Sequence, residues 1–148
     1  MEESAGYRHK KLEMAAAAVI VSVLFVLLLG ALERVQRQTE EAMVQAEASA
    51  LRVELLDRLS HHETFGGELP RSLNPVVWAG REPPGYVGEV DEPPVEGGVW
   101  YFERRTGVLA YRFRHGGDAR FRLVRVAGAS GAPAVLAGVG LLRLENGQ

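Results

Sequence analysis

The sequence predicts an α+β protein, in which a long N-terminal helix, first membrane-spanning and then amphipathic, packs on a small antiparallel β-meander. Three observations favour this class: residues 14–32 carry no charge, residues 33–60 contain neither proline nor glycine, and within residues 108–114 the large side chains of Leu109, Tyr111 and Phe113 alternate with Ala110, Arg112 and Arg114. We therefore divide the 148 residues into a cytoplasmic N-terminal segment, a transmembrane helix, an amphipathic helix, a wrapping loop rich in proline and glycine, and a sheet. Their ranges are 1–13, 14–32, 33–62, 63–98 and 99–148.

The uncharged segment from Met14 to Leu32 predicts a membrane anchor. Its nineteen residues form a helix about 28 Å long at about 1.5 Å per residue, close to the thickness of a bilayer's hydrocarbon core. Three cations precede the segment and two lie in the fifteen residues after it, so we expect the N-terminus in the cytoplasm and the rest of the chain outside it. A cleaved signal peptide is the alternative, although the segment exceeds the usual h-region of about 7 to 15 residues.

Composition limits the classes of protein to which the chain can belong. The net charge of -2 excludes a generally basic nucleic-acid-binding protein, and the absence of cysteine excludes disulfides and thiolate ligands. The part of the chain beyond residue 32 can form only a small core, since small domains bury a smaller fraction of their surface. We therefore expect protein partners, with self-association left open, and no nucleic acid.

Two stripes of small and apolar residues follow helical spacing beyond the anchor. The first runs in steps of three and four and comprises Leu32, Val35, Thr39, Ala42, Ala46, Ser49, Val53 and Leu56. The second lies toward the C-terminal end and comprises Val44, Ala48, Leu51, Leu55 and Leu59. We expect the leucine-rich end to pack on the protein's own sheet and the part nearer the membrane to bind partners. The alternative is a coiled coil with another anchored chain, which Thr, Ala and Ser would hold only weakly.

Proline and glycine dominate the segment before the predicted sheet. Six of the seven prolines lie between Pro70 and Pro94, which excludes a regular helix or a central strand. The segment also carries many apolar residues, so we expect an ordered wrap held by Trp78 and Tyr86. A ligand pocket lined by Trp78, Tyr86 and Trp100 is the alternative.

A hairpin and further strands are predicted after this loop. Residues 99–102 and 108–114 flank an Arg-Arg-Thr-Gly turn, 120–127 form a third strand, and 133–144 supply one or two more. One face of these strands is apolar, and the other is rich in arginine. The arginines are either solvated or bind an acidic partner or lipid head groups; they are Arg112, Arg114, Arg120 and Arg122.

No group of residues in the sequence matches a catalytic or metal-binding pattern. There is no phosphate-binding glycine loop, no nucleophile elbow and no cluster of ligands, so we predict neither an enzyme nor a cofactor site. His61 and His62 point about 100° apart on a helix, which favours a helix-terminal role over a metal site. Four acidic residues in a proline-rich loop either form an exposed acidic loop or bind Ca²⁺ weakly; they are Glu89, Asp91, Glu92 and Glu96.

The order of a long helix, a loop and a β-meander resembles type IV pilins and type II secretion pseudopilins. At the N-terminus, Leu12-Glu13-Met14 and the apolar residues after it resemble the pilin core, in which a glutamate opens the hydrophobic helix. A prepilin-type cut would fall between Gly6 and Tyr7. The resemblance implies a pilin-like fold.

A second resemblance lies in the loop and the first hairpin. The segments that carry it are Asn74-Pro75 and residues 83–89, 98–103 and 108–112. They are similar to small single-span proteins found with proteobacterial type IV or MSHA-type pilus and type II secretion components. This resemblance implies a bacterial inner-membrane protein with a periplasmic C-terminal domain, a part in pilus biogenesis and no catalytic role.

We therefore predict a non-catalytic inner-membrane accessory, or a minor pilin-like subunit, in type IV (MSHA-type) pilus biogenesis or type II secretion. Its partners would be other proteins of those machines. A membrane-anchored periplasmic sensor or ligand-binding module is the alternative. The candidate partner-binding residues are Val35, Ala42, Ala46, Pro83, Pro84, Tyr86, Glu89, Arg112 and Arg114.

Overall fold

The structure, a computed structural model, describes residues 2–125, 135–136 and 139–145. The chain divides into two compact units, Met1–Thr39 and Glu40–Gln148. One helix, α1, runs over Glu2–Phe65, so that its first part belongs to the first unit and its second part to the other.

The N-terminal unit consists of the first part of α1. Every residue from His9 to Thr39 is exposed. Among the described residues, α1 is the one helix long and apolar enough to span a membrane, by length and composition, and none of its most apolar stretch is buried. The helix begins at Glu2 rather than at Met14, because the residues before Met14 include good helix formers and no proline.

The end of α1 is Phe65, beyond the predicted end at His62. Gly66 and Gly67 follow with φ angles of 73° and 127°, which glycine adopts without the strain of a side chain. Gly66 N donates to the His62 carbonyl over 2.8 Å, and this hydrogen bond closes the last turn.

The C-terminal unit contains a six-stranded sheet, a short helix and the second part of α1. The short helix is α2, Pro75–Ala79, and the strands are β1 Tyr86–Val90, β2 Val99–Glu103, β3 Val108–Arg112, β4 Asp118–Arg125, β5 Val135–Leu136 and β6 Val139–Leu144. Their spatial order is β1-β2-β3-β4-β6-β5. All neighbours are antiparallel except β1 and β2, which are parallel. The fold is therefore α+β with a mixed sheet. The antiparallel pairing predicted for residues 99–148 is present in the described strands β2 to β6, whereas the parallel edge strand β1 was not predicted.

The segment 63–98, predicted as a wrapping loop, contains α2 and β1, so the sheet begins at Tyr86 rather than at Val99. Asn74 starts α2 by accepting a hydrogen bond from Val76 N, and a proline occupies the first turn, where its missing N–H costs nothing. Strand β1 is at the edge of the sheet and pairs with β2 alone, so the prolines and glycines around it do not have to form hydrogen bonds with a second strand. Residues 126–127, 133–134 and 137–138 of the predicted strands lie outside the described residues.

The core lies between the second part of α1 and one face of the sheet. Its helix side is the leucine-rich stripe, in which Val44, Ala48 and Leu51 have no exposed surface, so the prediction that this end packs on its own sheet is confirmed. Leu109 pairs with both Phe102 and Phe121 across the strands, which places their side chains on the same face. The sheet residues of this core include Trp100, Phe102, Leu109, Tyr111, Phe121 and Leu141.

Candidate docking surfaces

The three candidate residues on α1 are exposed. Val35, in the N-terminal unit, is 56% exposed. Ala42 and Ala46, in the C-terminal unit, are one helical turn apart on the side of α1 away from the buried stripe. Val53 continues that side and is 65% exposed. This side of α1 therefore presents small and apolar side chains that the sheet does not bury.

Asn74 brings two other candidates, Tyr86 and Glu89, together. The Asn74 side chain is buried, and its Nδ2 donates to Tyr86 Oη over 2.8 Å and to Glu89 Oε1 over 3.0 Å. Partial burial raises the pKa of Tyr86; the Asn74 hydrogen bond opposes this rise, and the Glu89 charge adds to it. The phenol is therefore protonated near neutral pH and accepts the hydrogen bond. These contacts tie β1 to the start of α2, so both candidates have a structural role.

The aromatic residues proposed for a ligand pocket are packed in the core instead. Trp78 and Trp100 are only 2% and 1% exposed. Trp100 contacts the rings of Tyr111 and Phe121 with centroid distances of 5.2 and 5.6 Å. Trp78 Nε1 donates to the Ser72 carbonyl over 2.7 Å. Both tryptophans are therefore core residues, and Trp78 also borders an open cavity of about 180 Å³ at the C-terminal end of α1.

Pro83 and Pro84 belong to a turn that delivers the chain to β1. Pro83 is buried and its carbonyl accepts a hydrogen bond from Tyr86 N over 3.1 Å, whereas Pro84 is exposed. Gly85 then accepts a hydrogen bond from Trp100 N over 3.0 Å, which begins the parallel pairing. Of this pair, Pro84 alone is presented at the surface.

The four arginines predicted on the outer face do not form one available surface. Arg112 Nε donates to Asp118 Oδ1 over 3.1 Å, which raises the pKa of Arg112, and its Nη1 donates to the Pro94 carbonyl. Arg120 Nη2 is 3.2 Å from Glu103 Oε2. Arg114 and Arg122 are exposed and form no ion pair with a described residue; they are the two that remain available.

The outer face also carries a buried carboxylate that sequence reasoning missed. Glu103 is 5% exposed and accepts hydrogen bonds from Arg120 Nη2 and, over 2.7 Å, from Thr106 Oγ1. Burial, with a further contribution from Asp118, raises the pKa of nearby Tyr101 to about 12. In the sequence, Glu103 stands at the end of an aromatic strand, where a turn residue is expected. Nothing in the sequence pattern pairs it with Arg120, seventeen residues later.

Two adjacent acids hold the start of the C-terminal unit's helix against the sheet. Glu40 Oε1 accepts hydrogen bonds from Tyr111 Oη over 2.9 Å and from Arg114 N over 3.3 Å. Glu41 Oε1 lies 2.5 Å from Arg143 Nη1. An open groove of about 620 Å³ lies beside this ion pair and is lined largely by charged residues and glycines.

The two histidines at the end of α1 make local contacts. His62 Nε2 donates to the Gly67 carbonyl over 2.7 Å, and the His61 ring packs on Phe65 with a centroid distance of 4.7 Å. Within the described residues, no group of three or more His, Asp or Glu side chains is arranged to hold a metal ion.

Comparisons of the chain with protein-family models, with curated proteins and with solved structures gave no match. The fold and the contacts above are therefore the basis for any assignment of function.

Proposed function

We propose that this protein is a non-catalytic accessory, or a minor pilin-like subunit, of type IV (MSHA-type) pilus biogenesis or type II secretion. In this proposal residues 14–32 anchor the chain in the bacterial inner membrane, and the C-terminal unit lies in the periplasm as a docking body for other proteins of the machine. The resemblance of the sequence to pilins and to small single-span pilus-locus proteins suggested this role.

The observation that supports the proposal is the difference in burial between the two parts of α1. Residues 9–39 are exposed throughout and include the apolar stretch, whereas from Val44 onward one stripe of the same helix is buried by the sheet. Exposed apolar residues at this density are costly in water, since each loses the stabilisation that burial provides. A lipid environment for the first part and a folded domain on the second account for both patterns.

The helix side that carries Ala42 and Ala46 is the proposed contact with a partner helix. Small side chains allow two helices to approach closely, both in membranes and outside them. Val53 extends the side with a larger apolar group. Because the sheet does not use this side, substitutions on it should affect partners more than folding.

Complementation of a gene deletion tests the proposal. The deletion should impair pilus assembly or secretion, and the native chain should restore it. Ala46→Glu should fail to restore it, whereas Ser60→Glu, at an exposed position of α1 two turns beyond Val53 and outside the proposed contact, should succeed. Normal filaments and normal secretion in the deletion strain would refute the proposal.

The intact mass of the membrane-extracted protein tests the anchor. A full-length mass means a permanent anchor, loss of residues 1–6 means prepilin-type processing, and loss of about thirty residues means a cleaved signal. Protease that reaches the C-terminal unit only from the cytosol would contradict the periplasmic placement.

A further inference from the structure

The loop between β1 and β2, residues 91–98, joins two parallel neighbours. A parallel connection usually needs a dozen or more residues, and this one has eight. It contains two prolines, two glycines and three acids, and it exposes an apolar tip. We call residues 92–96, Glu-Pro-Pro-Val-Glu, the acidic tip.

The base of the loop is held closely against the sheet. Gly98 N donates to the Arg112 carbonyl over 2.7 Å, and the Pro94 carbonyl accepts a hydrogen bond from Arg112 Nη1. A Cβ on Gly97 would lie only 2.7 Å from Arg114 Cα and 2.8 Å from the Phe113 carbonyl oxygen, so the backbone passes where only glycine fits. The tip is therefore presented on a fixed support.

Within the tip, every residue except Pro94 is exposed. Val95 is 96% exposed, the highest value among the large hydrophobic residues of the described chain. Pro93, two residues earlier, is also exposed, and we call these two apolar residues the ridge. Glu92 and Glu96 flank the ridge, are exposed, and form no ion pair or hydrogen bond with another described residue.

From this arrangement we infer that the acidic tip is an interaction site for a partner protein with an aromatic or apolar groove rimmed by lysine or arginine. Proline fixes φ near -65°, so a Pro-Pro-Val segment loses little conformational entropy on binding, and such segments dock on aromatic-lined grooves. The two unpaired carboxylates complement a basic rim and disfavour an acidic one. The inference rests on the proposed docking role of the C-terminal unit but not on which machine it serves.

A second Glu-Pro-Pro segment ten residues earlier serves as an internal comparison. There Pro83 is buried, and its carbonyl accepts a hydrogen bond from Tyr86 N. The motif at residues 82–84 is therefore part of a turn, whereas Glu92 and Pro93 are exposed and only Pro94 is half-buried. The two sets differ at their middle residue, because Pro83 is buried whereas Pro93 is exposed.

Photo-crosslinking in the full-length, membrane-anchored chain tests the inference. We expect Val95→p-benzoylphenylalanine to give one main adduct, whose partner peptide contains aromatic residues close to lysine or arginine. Val87→p-benzoylphenylalanine, at a 51% exposed position on β1, is the control and should give little adduct. An adduct no stronger than that control, or one formed mainly with lipid or with a second copy of the chain, would overturn the inference.

Charge reversal then tests the rim. Glu92→Lys with Glu96→Lys should reduce the Val95 adduct by about tenfold or more, whereas Glu63→Lys with Glu68→Lys, an equal change at exposed positions, should alter it less than about twofold. An equal effect of both pairs would count against a basic rim.

Once crosslinking has identified the partner, its affinity can be measured. Val95→Ser should raise the Kd roughly tenfold or more, and Val87→Ser should leave the Kd within about twofold of the native value. Because these readouts do not use the deletion phenotype, they can fail or succeed independently of the proposed function.

Discussion

Truncation of the core stripe on α1 gives a sharp test of the fold, because the helix offers a matched exposed position. Leu51 has no exposed surface, whereas Val53, two residues later, is 65% exposed. Leu51→Ala keeps or improves helix propensity but removes buried atoms and leaves a cavity, so we expect the free energy of unfolding to fall by about 2 to 5 kcal/mol. Val53→Ala should change it by about 0.5 kcal/mol or less.

Urea unfolding of the full chain in detergent micelles, followed by tryptophan fluorescence, measures both changes. The chain's two tryptophans, Trp78 and Trp100, are both buried in the core that contains Leu51, so their emission reports its loss. At a slope of about 1 to 3 kcal/mol per molar urea, a loss of 3 kcal/mol moves the midpoint by about 1 to 3 M. Equal midpoints for Leu51→Ala and Val53→Ala would refute the packing of α1 on the sheet.

Three further predictions concern the polar contacts and the tight loop. Asn74→Ala removes the α2 cap and leaves Tyr86 without its hydrogen bond, so the free energy of unfolding should fall by about 2 to 4 kcal/mol, with faster amide exchange in α2. Gly97→Ala has no room for its methyl group beside Arg114 Cα and should lower the urea midpoint by an amount equivalent to about 1 to 3 kcal/mol. Burial and Glu40 raise the pKa of Tyr111 to about 12, so the folded state binds more protons than the unfolded state between pH 10 and 12, and stability should fall as pH rises through that range. Unfolding midpoints measured at pH 9 and pH 11 should show a smaller alkaline loss for Tyr111→Phe than for the native chain.

The long helix and its buried stripe were predictable because both depend on local pattern. Steps of three and four place Val44, Ala48 and Leu51 on one side, and the lack of proline and glycine lets the helix continue. The period of two within 108–114 likewise assigns Leu109 and Tyr111, the large apolar residues, to the face that packs on α1. Local spacing determines which side chains share a face, so these features need no knowledge of distant residues.

The parallel strand β1 was not predictable from the same kind of pattern. Residues 86–90 contain a glycine with a φ angle of 100°, the register shifts within the strand, and prolines lie on both sides of it. The sequence alone therefore predicts a loop there, because such residues weaken a central strand. Pairing with β2 on a single side, with Asn74 holding Tyr86 and Glu89, overrides that local preference.

The candidate residues separate according to whether the fold already uses them. Tyr86, Glu89 and Arg112 belong to distinctive sequence segments, yet each is bonded to another part of the C-terminal unit, so their identity is explained by folding. Ala42 and Val95 have no such internal role. A distinctive motif thus indicates where the chain must be held in place, whereas a partner can bind only the side chains that folding leaves uncovered. For this protein that criterion moves the expected contacts from the segment 83–89 to the outer side of α1 and the acidic tip.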